Sequence, residues 1–288
     1  MLRSLFAGIS GLRTNQSMLD VTGNNIANAN TTGFKSSSTV FSDTLSQMLT
    51  AASAGNADRG GTNPVQVGLG VQLAATALNL NQGSAQTTGR TTDLMIQGDG
   101  FFVLRDGQEN VYTRAGAFTF DQSGVLVAPS GMRVQGYAVD AAGAVDTTAL
   151  VDVTLDTTAL GLGVDASGNP IELTSYSISA DGKIRGVFSD GVQRDVAQLA
   201  IADFNNPAGL EKIGDTAFRE SANSGVAELG TAGQGQRGQL MAGALEMSNV
   251  DLSAEFTNLI LAQRGFQASS RVITTSDQVL EELVNIKR

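Results

Sequence analysis

Residues 252–287 read LSAEFTNLILAQRGFQASSRVITTSDQVLEELVNIK, a run without proline or any break in helical periodicity. Leu252, Phe256, Leu259, Phe266, Ile273, Leu280 and Val284 fall at heptad spacing, with Gln263, Ser270 and Asp277 in the intervening slots. A second apolar stripe of Val272, Val279, Leu283 and Ile286 lies on another face. Ser248 followed by Asp251 resembles a capping box at the start. Such a helix is roughly 54 Å long at 1.5 Å per residue. A helix apolar on two faces needs more than one neighbour, so one partner is expected within the chain and others from further copies. A monomer whose terminal helices pack together and on the middle domain is the plainer alternative.

The inner partner is expected at the other end of the chain. Leu2, Leu5, Ile9, Leu12, Leu19 and Ile26 repeat in steps compatible with a heptad seam, with Gln16 and Gly23 in the remaining slots. All four prolines lie at 64, 129, 170 and 207, which leaves both ends free of the strongest helix breaker. Between the ends the period changes to two. Leu94–Ile96, Phe101–Leu104 and Phe118–Phe120 read as strands. Asp and Gly recur at turn spacing at Asp121–Gly124, Asp140–Gly143 and Asp165–Gly168, with a shorter Asp181–Gly182 variant. Type I turns select that pattern, so β-hairpins follow. Calcium loops do not, because the alternating acidic ligands and closing Glu are missing.

The expected fold is therefore mixed and mainly β, with long N- and C-terminal helices paired in a coiled coil around a hairpin-rich middle. The expected boundaries are 1–41 and 243–288 for a terminal helical polymerisation domain and 67–242 for a β-rich outer domain with a candidate small insertion at 137–175. Residues 42–66, rich in Ser, Ala, Gly and Thr, are expected to form an extended linker with a short helix at Thr44–Leu49.

Composition removes several functions. The net charge is −10, against the basic footprint of a nucleic-acid binder. The first 35 residues carry +2 and residues 245–288 carry −2, opposite signs that mildly favour pairing of the ends. Cysteine and histidine are absent, which removes Ser-His and Cys-His catalysis, disulfides and nearly all zinc, copper and haem sites. No apolar run is long enough to span a membrane, and the first residues lack the apolar core and cleavage site of a secretory signal. No metal or cofactor is expected. Gly161–Ala166 fits the form G-x-G-x-x-A, but Gly168, Asn169 and Pro170 follow at once and leave no helix to hold a phosphate.

Three stretches carry a resemblance. NNIANANTTGFK at 24–35 resembles the N-terminal signature of bacterial flagellar rod and hook proteins, with Asn24, Asn25, Asn28, Asn30, Thr32, Gly33, Phe34 and Lys35 as the matching positions. GRTTDLMIQGDGFF at 89–102, continued by YTRAG at 112–116, resembles that family's β-domain core. LEMSNVDL at 245–252 and AQRGFQA at 262–268 are similar to its C-terminal helix signature.

The resemblance implies a helical homopolymer in which the terminal helices form an inner tube and the β domain sits outside. It also implies export by the flagellar type III apparatus, no enzymatic activity, and an extracellular place in the flagellar hook or basal body. Partners would be further copies, other axial proteins (distal rod, hook cap, hook–filament junction) and the export apparatus. GGTNPVQVGLGV at 60–71 resembles the hook version of this segment more than the rod version. The implied subunit is accordingly one of the flexible hook, a torque-transmitting universal joint between rod and filament, with the distal rod as alternative. Cross-linking through cysteine, known for some hook proteins, is excluded here.

Two polar groups have competing readings. The Asn24–Asn30 run either caps the first helix or bonds across subunits. Gln263, Arg264, Gln267, Ser270 and Thr274 form either a solvated helix face or, as the resemblance favours, the lining of an export channel. A secreted β-rich binding module remains the alternative from another class, and a carboxylate-based glycan-degrading enzyme a more distant one.

Overall fold

The computed structural model describes residues 2–55, 60–139, 145–155 and 173–286. The fold is mainly β with one helix at each end, and the chain divides into two compact units. The first holds Met1–Ala29, Ser36–Asn79 and Val250–Arg288; the second holds Asn30–Lys35 and Leu80–Asn249.

In the first unit, helix α1 (Leu2–Ala27) lies against helix α2 (Leu252–Ile286). The cap of α2 is Asp251 itself, whose Oδ1 accepts from the Ser253 and Ala254 amides at 2.9 and 3.2 Å, so the expected Ser248 box is displaced by three residues. At the end of α1 the Asn28 side chain donates back to the Asn24 carbonyl at 2.9 Å, answering one of the acceptors that a helix C-terminus leaves open.

The expected linker is a β-ribbon. Strands β1 (Ser37–Asp43) and β4 (Val71–Leu78) pair antiparallel from Ser37↔Leu78 to Asp43↔Val71. Farther along the same two segments, strands β2 (Ser46–Thr50) and β3 (Val65–Gly68) pair in a second two-stranded sheet, followed by a Ser53↔Thr62 bridge. The Thr44–Leu49 helix does not form, because both the amide and the hydroxyl of Thr44 bond the Gly70 carbonyl across the ribbon and Ser46–Leu49 enter β2. Residues 67–79, expected in the outer domain, complete this ribbon and group with the helices.

The second unit is antiparallel β. After β5 (Ala85–Thr87) and β6 (Leu94–Gln97), β7 (Phe101–Asp106) turns at Gly107 into β8 (Glu109–Thr113). Residues Arg133–Val139 pair with β7, with Val145–Asp152 and with Gln193–Leu199. Late strands close the unit, Gln239–Ala242 on β6 and Ala244–Glu246 on β5. Leu94, Ile96, Phe102, Leu104, Phe118, Val134, Ile184, Leu199 and Ile201 form the buried centre, where the Phe102 and Phe118 rings meet edge to face at 5.1 Å.

Two of the Asp–Gly turns are described. Asp121 Oδ1 accepts from Ser123 and Val125, both at 2.9 Å, and Gly124 takes φ +75°. The amide of Gly182 (φ +81°) closes on Ser179. Asp140–Gly143, Asp165–Gly168 and the Gly161–Ala166 motif lie outside the described residues. The described part of 137–175 is no outer add-on, because Val145–Asp152 joins the sheet and Val153 is wholly buried in its core.

Tyr112 ties this core to pH. Burial, reinforced by Glu220, pushes its hydroxyl up to about 12. The unfolded phenol ionises near 10, so the stabilisation is complete below pH 10 and is lost as pH rises to 12. On the order of 2 kcal/mol should disappear across that window. Urea midpoints at pH 9 and 11.5 measure it, and Tyr112→Phe should shrink the difference, leaving the part that comes from Tyr137, whose hydroxyl pKa burial also raises.

Candidate assembly surface

The two helices touch through their smallest residues. A Cβ added at Gly8 would lie 3.1 Å from Ile273 Cγ1, and one at Gly11 would lie 2.8 Å from Ser269 Oγ. A Cβ on Gly265 would press on the Asn15 amide, and Ser4 bonds Ser276 at 3.3 Å. These pairs run antiparallel, and Ala262 is fully buried among them. Glu255, Ala262, Ser269 and Ser276 stand seven apart, a heptad of small and polar residues offset from the apolar one. Small side chains let helix backbones approach closely, so this stripe makes the intramolecular contact.

The apolar stripes are divided accordingly. Ile273 sits over Gly8, and Leu5, Leu12, Leu19, Ile26, Leu259 and Leu280 are half-buried. Ile9, Leu252, Phe256, Phe266 and Val284 remain exposed, against the expectation that they fill the seam between these helices. The side chain of Leu2 lies outside the described residues. Leu261, Val272, Val279 and Leu283 are exposed as well, on the other flank of α2. At about 100° per residue, one apolar flank runs down each side of the α1 contact. Gln263, Arg264, Gln267 and Thr274 point away from α1 into solvent, with Ser270 half-buried at their edge.

The ribbon is similarly bare: Val40, Phe41, Leu45, Met48, Leu49, Val65 and Val67 are all exposed. So much large apolar surface on one small unit exceeds what scattered surface residues account for and marks an interaction site.

The signature residues do separate jobs. Asn25 is 1 % exposed; its Oδ1 accepts from the Ser37 amide at 3.1 Å, and its Nδ2 donates to the Ser37 carbonyl at 2.7 Å and to Glu255 at 3.0 Å. It thereby fixes the start of β1 against both helices. Asn25→Ala removes all three bonds and should lower the stability of the first unit by about 2 kcal/mol, read as a urea midpoint shift. Asn24 and Asn28 bond each other at 2.7 Å, Asn30 is exposed and Thr32 is half-buried.

Gly33 takes φ +69°, and a Cβ there would lie 2.6 Å from Ala115 Cα, so the chain passes at a distance only glycine allows. The Phe34 ring lies under the Lys212 ammonium at 4.8 Å.

Lys35 is the residue whose role the sequence did not disclose. Its ammonium is wholly buried, 2.6 Å from Glu246 Oε1 and 2.9 Å from the Asn81 carbonyl. Burial lowers its pKa, and the Glu246 carboxylate pulls it back up. Arg114, also buried, lies 3.6 Å from Glu246 Oε2 and donates to the Gly98 carbonyl at 2.9 Å. A buried lysine is exceptional unless paired, but its partner is 211 residues away, beyond any local pattern.

Among the described residues no group of three or more potential ligands could hold a metal ion, and no helix is long and apolar enough to cross a membrane.

Three family descriptions match in chain order. "Flagella basal body rod protein" covers residues 5–35, "Flagellar hook protein FlgE/F/G D1 domain" covers 95–186, and "Flagellar basal body rod FlgEFG protein C-terminal" covers 241–286. The chain is 44% identical to the flagellar basal-body rod protein FlgG of Bacillus subtilis over 289 positions, with all of both chains covered. It is 31% identical to the flagellar hook protein FlgE of Treponema pallidum, again with both chains covered in full, over an alignment of 463 positions. It is 34% identical to the rod protein FlgG of Borreliella burgdorferi over 292 positions and the whole of both chains. These full-length likenesses, on a chain whose terminal helices pair in one unit and whose other unit is antiparallel β, show that it belongs to the FlgE/F/G family of flagellar rod and hook axial structural proteins.

Proposed function

We propose that this chain polymerises helically into the hook, with no catalytic role. Tubes form when the apolar flanks of α2 and the bare ribbon of one copy are covered by neighbouring copies. The observation that carries polymerisation is the division of labour on α2. Its small stripe is used inside the chain, while two apolar flanks stay exposed for others. Gln263, Arg264, Gln267, Ser270 and Thr274 then line the export channel, where polar side chains avoid trapping the apolar segments of a passing unfolded chain. The terminal helices and the ribbon form the polymerisation domain, and the remaining β unit lies outside.

The assembly is extracellular, reached through the flagellar export apparatus, and its axial neighbours are the distal rod, hook cap and hook–filament junction proteins. The hook is favoured over other axial segments by residues 60–71, which resemble the hook version of the ribbon, and by the full-length match to a hook protein.

The distal rod is the second reading, favoured by the 44% identity with a rod protein over nearly equal length, whereas the treponemal hook protein aligns only with long additional segments. Immunogold electron microscopy of isolated basal bodies, with antibody against residues 80–249, separates the two. Label on the curved segment beyond the rod supports the hook. Label confined to the straight rod supports the second reading, and no axial label rejects both.

A further inference from the structure

We infer that the Lys35–Glu246 pair is a clasp that holds every segment through which the chain passes between its two units, and that these segments open together without unfolding the sheet. The chain crosses between units at 29/30, 35/36, 79/80 and 249/250. In the second unit those crossings belong to three stretches: 30–35, 80–84 and 246–249.

All three are stitched to one residue. Glu246 Oε1 accepts from Lys35 Nζ at 2.6 Å and from the Gly83 amide at 2.9 Å, while the Glu246 carbonyl accepts from the Gly33 amide at 2.8 Å. The Asn81 carbonyl accepts from both Lys35 Nζ and Asn249 Nδ2 at 2.9 Å, and the Met247 amide bonds Ser84 at 2.9 Å. Lys212 adds a bond to the Lys35 carbonyl at 2.8 Å.

What holds these stretches differs in kind from what holds the sheet. None of their residues belongs to the hydrophobic core cluster. They are mostly small or polar, and their two wholly buried charged side chains are Lys35 and Glu246 themselves. Removing Lys35 leaves the Glu246 carboxylate facing only Arg114, 3.6 Å away and not hydrogen-bonded to it, so the penalty is concentrated where that charge sits. The segments should then release, because opening lets water reach the stranded carboxylate. The sheet keeps its apolar centre and stays closed. Opening of this type is a local cooperative unit.

Hydrogen exchange read by mass spectrometry on the full chain tests the clasp. In the unaltered protein under sub-denaturing urea, amides of 31–35, 81–84 and 244–249 should open together, below the global transition reported by 94–104 and 196–201. Lys35→Met should speed exchange in those three stretches by about 100-fold or more while the core stays protected. Lys35→Met with Glu246→Met and Arg114→Met should restore much of the protection, since the buried triad then strands no charge. The inference is overturned if the three stretches exchange only with the core. It is also overturned if Lys35→Met leaves them unchanged, or if the triple variant is as open as the single one.

Discussion

Leu261→Asp combined with Val279→Asp is expected to abolish assembly while leaving the monomer folded. Both side chains are exposed in the single chain, so the substitutions disturb little beyond helix propensity. In the proposed tube each would be covered by a neighbour. Burying such a side chain is worth about 1.5–3 kcal/mol, and a carboxylate in its place adds a desolvation penalty. Two sites per subunit therefore raise the critical concentration by at least about 1,000-fold. Sedimentation of assembled material reads this directly, and circular dichroism checks that helix content is kept. Normal assembly of the double variant would mean that this flank is not an interface.

Gly116→Ala is expected to unfold the second unit. The Gly116 carbonyl accepts from the Leu94 amide at 2.9 Å, and the backbone of Leu94 passes so close that an added Cβ would overlap its carbonyl group. Relief requires backbone to move, since no flexible side-chain tip is involved, and Leu94 is a fully buried member of the core. Overpacking that a side chain can absorb costs about 1–3 kcal/mol; against backbone at least about 4 kcal/mol is expected. That is a large part of the 5–15 kcal/mol typical of a domain. Loss of the cooperative urea transition, or a midpoint near zero denaturant, is the expected reading. A shift below about 1 kcal/mol would show that the two segments separate easily.

Periodicity revealed both helices and the strands that open the β unit, because Leu252–Ile286 and Leu94–Leu104 carry their burial pattern within a few residues. The ribbon was not legible. Residues 54–61 hold no Asn-Gly or Asp-Gly pair, and the described strands β2 and β3 are exposed throughout, so no alternation marks them. The contact between the two helices differs from the apolar stripes for a related reason. Hydrophobic spacing marks apolar residues whether or not the single chain covers them, and in α2 it also marks the exposed flanks. The contact inside the chain uses Gly8, Gly11, Ala262 and Gly265, which carry almost no hydrophobic signal. Asn25 and Lys35 were legible as signature positions only, because Glu255 and Glu246 reach them from the far end of the sequence.

Helical reconstruction of axial structures built from this chain would show which faces of α2 neighbouring copies cover. Leu261 and Val279 on one side of α2, and Phe266 and Val284 on the other, are expected to be buried against neighbouring copies, with Gln263, Gln267 and Thr274 facing the lumen. A reconstruction in which copies touch only through their β units, leaving these flanks in solvent, would contradict that expectation.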